Sequence, residues 1–229
     1  MGCGIVFRLD SAGSLTVLYA FTGLSDGAYP WSALVEDSEG NLYGTTISGG
    51  NPACNSTNPI PGCGTLYKLD PSGNFTVLHT FAGRPDDGQG CDSKLTLDAK
   101  GNLYGVCFNG GSSDLQAGIV FKYSMDKLTL LHNFTGGSDG QGPEGQLLLD
   151  SQGNLYGVTN SGGTFDEGTV FNVTRSGNEA VLYSFGTNGG DGTYPTGGLA
   201  MDADENLYGT TYSGGASKLG TVFKLTRHD

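Results

Sequence analysis

No run of apolar residues in this 229-residue sequence is long enough to span a bilayer, and no helical period persists over about ten residues. Membrane insertion through a helix and an α-helical fold are therefore not expected. Basic residues are scarce: 11 Lys and Arg stand against 23 Asp and Glu, a net charge of −12. That balance argues against nucleic acid and anionic membranes as partners, since both need a basic face. Of three histidines, His79 and His132 fall at positions held elsewhere by Tyr19 and Tyr183, and His228 lies in the tail. None stands where a Ser-His-Asp triad needs its base. No Cys-x-x-Cys occurs and no His lies close in sequence to a Cys, which argues against zinc. The opening Met1-Gly2-Cys3-Gly4 lacks the apolar core of a signal peptide.

Glycine, by contrast, supplies 41 residues, without a Gly-X-Y period, so it signals many tight turns. The tetrapeptide Asn-Leu-Tyr-Gly recurs at residues 41–44, 102–105, 154–157 and 206–209, spaced 61, 52 and 52 residues apart. A fixed period of about 50 residues marks stacked repeat units sharing one core. Each repeat holds four short runs rich in Val, Leu, Phe, Tyr and Thr between Asp-Gly, Gly-Asn and Gly-Gly turns, which read as hairpin-linked strands. The expectation is an all-β, single-domain β-propeller over residues 1–229, built from four four-stranded repeats and 17 strands in all. The excess strand makes Ile5–Leu9 and Thr221–Leu225 rivals for one place if the ring closes on itself. Such duplicated ends favour exchange between two copies, a homodimer completing one ring. The long first spacing reflects an insertion at residues 51–62 flanked by Cys54 and Cys63, read as a disulfide that staples this loop. Cys91 and Cys107 are a second candidate pair.

The succession Gly-Thr-Val-Phe-Lys-Leu, Val-Leu-Tyr-x-Phe, Asp-Gly-x-x-Pro and Asn-Leu-Tyr-Gly-Thr-Thr-x-x-Gly-Gly resembles the Gloeobacter/Verrucomicrobia tandem repeat of bacterial surface and secreted proteins, over nearly the whole chain. The resemblance implies a propeller-like, extracellular or cell-surface protein; it implies no settled activity. Leader and anchor, frequent in that family, are not evident, which reads as an excised repeat region. By analogy with NHL-type and gluconolactonase-like propellers, Leu199–Asp202 is an innermost strand and Ala180–Phe185 an outermost one.

Candidate chemistry sits on two kinds of loop residue. Asp26, Asp87, Asp139 and Asp191 recur once per repeat before Gly. Either each caps its own turn, or the four form a carboxylate ring able to hold Ca²⁺. The repeated Ser/Asn-Gly-Gly segments read as turns, because neither a P-loop lysine nor a helix start follows. Residues that break the repeat are more informative, since architecture does not demand them. Just before the innermost strands stand Trp31, Asp92 and Lys94, Glu144 and Gln146, joined by Arg84, Asp86, Tyr29 and Tyr194. Trp31, Tyr29, Tyr194, Arg84, Asp86 and Gln146 suit a polar small molecule or carbohydrate ligand, with rings for a sugar's apolar face. Asp92 and Glu144, with Lys94, are the candidate acid–base set. The leading reading is a binding or scaffold module; the alternative is a metal-assisted hydrolase or lyase acting on a lactone, phosphoester or glycoside. Four sequons, beginning at Asn55, Asn74, Asn133 and Asn172, read as coincidental.

Overall fold

The computed structural model describes residues 2–54, 59–187 and 190–226. The sequon at Asn55 and the tail histidine His228 lie outside the described residues. The described chain holds no helix and 20 strands. β1 (Ile5–Leu9) and β2 (Leu15–Ala20) form a two-stranded sheet. The second sheet runs β3 (Val35–Glu36), β4 (Leu42–Thr45), β5 (Thr65–Leu69), β6 (Phe75–Thr80). In the third, β7 (Gly88–Gln89) pairs β10 (Asn109–Gly110), beside the ladder of β8 (Thr96–Leu97), β9 (Leu103–Cys107), β11 (Ile119–Ser124) and β12 (Lys127–Asn133). The fourth is β13 (Gln141–Leu149), β14 (Leu155–Ser161), β15 (Thr169–Val173) and β16 (Glu179–Ser184). In the fifth, β17 (Gly192–Pro195) and β18 (Ala200–Met201) both pair β19 (Leu207–Gly214), which pairs β20 (Thr221–Leu225). All pairings are antiparallel.

The count of 17 is thus corrected to 20, because interruptions split single lanes into paired pieces. Three lanes are split: β7 from β8, where the chain passes through Gly90 at φ 67°; β9 from β10, at Phe108; and β17 from β18, past Pro195, which still pairs Thr211. A left-handed residue turns the strand out of register. In this structure β1 pairs β2, and β20 pairs β19.

Every residue of Asn-Leu-Tyr-Gly has a physical task. The preceding aspartate at 37, 98, 150 or 202 accepts two backbone N–H bonds through Oδ1, closing the turn; its Oδ2 accepts bonds from the Asn amide and the Tyr hydroxyl. The Leu is core. The Gly leaves space for a ring from the next strand: a Cβ at Gly44, Gly105, Gly157 or Gly209 would meet Tyr67, Phe121, Phe171 or Phe223 at 2.5–2.6 Å. Each such ring in turn meets, edge to face, a Phe that follows the last strand of the preceding sheet. The pairs are Phe21–Tyr67, Phe81–Phe121, Phe134–Phe171 and Phe185–Phe223, with centroids 5.1–5.6 Å apart. Sheets are therefore joined by one repeated aromatic contact. The first sheet lacks it, and both ends leave apolar side chains open: Phe7, equivalent to the fully buried Phe171, is 53% exposed, and Val222, equivalent to Val170, is 82% exposed.

Both disulfides form, Cys54–Cys63 across the insertion and Cys91–Cys107 within the third sheet; Cys3 belongs to neither.

Two measurements test this account. Phe171→Ala should destabilise the chain by about 3–5 kcal/mol in urea unfolding, while Phe7→Ala should cost under about 1 kcal/mol. Equal losses would contradict the contact scheme. For acid stability, Asn206, then Tyr208 and the turn backbone, hold the Asp202 carboxyl at about 2 instead of 3.8. At Asp37 the bonds from Asn41, Tyr43 and Glu39 outweigh the upward push of burial, again giving about 2. With folded values below unfolded ones, the unfolded chain takes up protons first, so stability present above pH 3.8 drains away as pH falls toward about 2. Melting followed from pH 5 to pH 2 should decline in this window, and less steeply in Asp37→Asn.

Candidate functional site

The chain entering each first lane passes one left-handed residue at the same repeat position: Tyr29, Gly90, Gly142 and Tyr194, at φ 58°, 67°, 64° and 56°. Glycine occupies this region freely; a side chain there costs roughly 1–2 kcal/mol. Two tyrosines are nonetheless kept, and backbone strain of this kind concentrates at working sites. The Tyr29 N–H donates to the Cys3 carbonyl at 2.8 Å, and its own carbonyl accepts from Trp31 at 2.9 Å. This tight turn pushes Trp31 outward, 71% exposed, with its ring 6.3 Å from that of Tyr29. Tyr194 is anchored to Glu167, whose charge and hydrogen bond raise the phenol's pKa.

Two positions further on, Trp31, Asp92, Glu144 and Thr196 are equivalent. Asp92 follows Cys91, whose bridge to Cys107 fixes the turn against β9. Glu144 stands on β13 opposite Val158. The structure brings these two acids into electrostatic reach of each other. Burial raises the Asp92 carboxyl above its usual range; burial, then the Asp92 charge, raise Glu144, while a hydrogen bond from Asn160 works the other way. First lanes of the third and fourth sheets touch beneath them: the Thr96 hydroxyl donates to the Leu147 carbonyl at 2.5 Å, and the Gln146 amide donates to the Leu95 carbonyl at 3.4 Å. Two coupled, half-buried acids can hold a sugar hydroxyl pair, or share and pass a proton.

The other expected members are more scattered. Lys94 is half-buried and makes no ion pair among the described residues. Arg84 pairs with Asp114 at 3.0 Å rather than with either acid, and Asp86 is exposed. Asp26, Asp87, Asp139 and Asp191 each serve their own loop. Asp26 accepts from Thr22 and Tyr19, Asp87 from the Ala82 N–H and His79, Asp139 from Thr135, and Asp191 from Gly186, Thr187 and Tyr183. His132 completes the pattern, 3.4 Å from Asp139. Tyr and His thus alternate as partners of one repeated aspartate. Among the described residues no three His, Cys, Asp or Glu side chains gather into a metal cluster.

Sequence reasoning missed Asn160 and Phe108. They occupy one repeat position with Ile47 and Tyr212, just past the Thr or Cys of the second lane. Asn160 bonds Glu144, and the Phe108 ring covers Gly142 so closely that a Cβ there would meet it at 2.8 Å. Their departure from the repeat was the available signal.

Comparison with known proteins follows from this geometry. Among curated proteins, none matches the sequence. Among solved structures, a gluconolactonase from Xanthomonas campestris is similar at TM-score 0.54 and 16% identity, over 98% of this chain and 69% of that one. A luciferin-regenerating enzyme is similar at TM-score 0.55 and 16% identity, over 93% and 66%. The extracellular domain of a protein described as a hybrid two-component system from B. thetaiotaomicron gives 0.55 and 14%, over 96% of this chain and 25% of that chain. The chain thus spans about two thirds of the two enzymes and a quarter of the extracellular domain. At these identities the likeness shows the fold, which is of β-propeller type. The Gloeobacter/Verrucomicrobia repeat model matches residues 54–229, and the chain belongs to that repeat family.

Proposed function

We propose that this chain is an extracellular bacterial propeller module of four repeats that binds a carbohydrate or similarly polar ligand where the first lanes begin. The observation that carries the reading is the coupled pair Asp92 and Glu144, retained half-buried and like-charged where a fold built only for stability would place neutral residues. The strained Tyr29 and the exposed Trp31 at equivalent entries supply rings for a sugar face. Two disulfides suit an oxidising compartment, and the extracellular domain among the similar structures accords with it.

A second reading rests on the same pair. Neighbouring acids with raised pKa values are suited to general acid–base work, one giving a proton to a leaving oxygen while the other activates water. Ca²⁺ held by Asp26, Asp87, Asp139 or Asp191 belongs to this alternative. A fall in melting temperature on adding EDTA, with turnover of lactones or glycosides, would favour it over binding alone.

Substitution separates function from architecture. For an acid whose folded pKa is raised, the favourable contribution is full below the unfolded value and is lost as pH rises through the folded value. At pH 7 the pair therefore weakens the fold. Glu144→Gln or Asp92→Asn should raise stability by about 0.5–2 kcal/mol and abolish sugar binding in calorimetric titration. Asp139→Ala should instead lower stability by roughly 0.5–2 kcal/mol and leave binding in place. The reverse pattern would refute the assignment.

The open end faces support a head-to-tail homodimer. Phe7 and Val222 leave apolar area uncovered, whereas Tyr67, Phe121, Leu66 and Val120 at equivalent places are fully buried. Light scattering should return twice 23.6 kDa. A mass of 23.6 kDa at every concentration would remove the dimer.

A further inference from the structure

Away from the first-lane entries, a cavity of about 370 Å³ opens between the third and fourth sheets on the side of the Asp-x-x-Gly-Asn turns. Its walls carry Lys100, Lys122 and Tyr104 from the third sheet and Gln152, Gly153 and Arg175 from the fourth. Three of the chain's 11 basic side chains thus meet in one slot of a protein whose net charge is −12. None of the three forms an ion pair among the described residues.

The slot's own acids are already occupied. Asp98 accepts bonds from the Lys100 and Asn102 N–H groups, the Asn102 amide and the Tyr104 hydroxyl; Asp150 accepts the equivalent four. They are directed into their turns and make no ion pair with the cations, so three cations stand against two acids and the slot keeps a net positive charge. Lys122 lies over the Tyr104 ring, 5.6 Å from its centroid, which fixes its ammonium at the wall.

Equivalent slots between other sheets lack this charge. The one between the first and second sheets, about 490 Å³, is lined by a single cation, Arg8, with Glu36 and Asp70. That between the fourth and fifth, about 230 Å³, has Asn172 and Glu205. In the repeat, Lys100 stands where Glu39, Gln152 and Asp204 stand, and Arg175 where Ser11, Pro71, Met125 and Arg227 stand. Architecture does not ask for Lys100, and only this boundary joins it to an arginine and a second lysine.

We propose that this slot is a binding site for an acidic saccharide, whose carboxylate or sulfate is held between Arg175, Lys122 and Lys100. Guanidinium matches an oxyanion through two parallel N–H bonds, and the two ammonium groups add point charges from the opposite wall. A volume of 370 Å³ accommodates one or two sugar rings. The site is separate from Asp92 and Glu144, so it stands or falls independently of the function proposed above.

The test is calorimetric titration of the whole chain with galacturonic acid, galactose 6-sulfate, galactose and inorganic sulfate, at low and physiological salt. Acidic sugars should bind with millimolar affinity that weakens with salt, and galactose should not bind in this slot. Lys100→Glu combined with Arg175→Glu should reduce the affinity at least tenfold without lowering the melting temperature, because both side chains are exposed. Lys68→Glu, a charge reversal outside the slot, should leave this binding unchanged. A double variant that holds galacturonic acid as tightly as the parent chain, loss of binding in Lys68→Glu but not in the double variant, or sulfate binding as tightly as the acidic sugars would each overturn the proposal.

Discussion

The contact on which the rest of this structure depends is an aromatic ring laid across a glycine. Four times, Tyr67, Phe121, Phe171 and Phe223 cross the Gly of Asn-Leu-Tyr-Gly on the strand beside them and meet, edge to face, a Phe from the sheet before. One side of the ring packs within its sheet and the other between sheets, so strand pairing and sheet stacking are a single event. Any side chain in place of the Gly would displace the ring and break both. This is why Gly holds in every copy while neighbouring loop residues vary. The same logic makes the terminal sheets unlike the others: Phe7, with no glycine strand beside it, and Val222, with no strand outside β20, are exposed where their equivalents are buried.

Once the sheets are fixed, the loops are free to differ, and the chemistry sits in those differences. The repeated aspartates of both sets are consumed in closing turns and orienting Tyr or His rings. Asp92 and Glu144 are not consumed in this way. They lie within electrostatic reach at the boundary between the third and fourth sheets, where burial raises both carboxyls and the Asp92 charge raises Glu144 further. The slot holding Lys100, Lys122 and Arg175 lies at the same boundary. The third and fourth sheets therefore carry the least repetitive surface of the molecule.

Much of the fold was legible in the sequence. The recurrence of Asn-Leu-Tyr-Gly announced the repeat, and alternating Val-Phe-Lys-Leu runs announced the strands, because periodicity two and turn chemistry are local properties. The bridge between Cys54 and Cys63 was legible for the same reason, since it closes a short loop. Strand number was not, because a single left-handed residue such as Gly90 splits a lane without changing its composition. Nor were contacts across sheets: Arg84 was grouped with its neighbour Asp86, yet its partner Asp114 lies 30 residues away. Asn160 reaches Glu144 only because β13 and β14 pair in one register, which no single strand reveals.

The account's central claim is that Asp92 and Glu144 form one coupled site, and the most direct measurement is a carbon-detected NMR titration of their side-chain carboxyls. Both should titrate above the ordinary values of 3.8 and 4.5, and in Asp92→Asn the Glu144 carboxyl should fall back toward 4.5 without reaching it, because burial remains. Ordinary midpoints for both, or a Glu144 midpoint indifferent to the loss of Asp92, would contradict it.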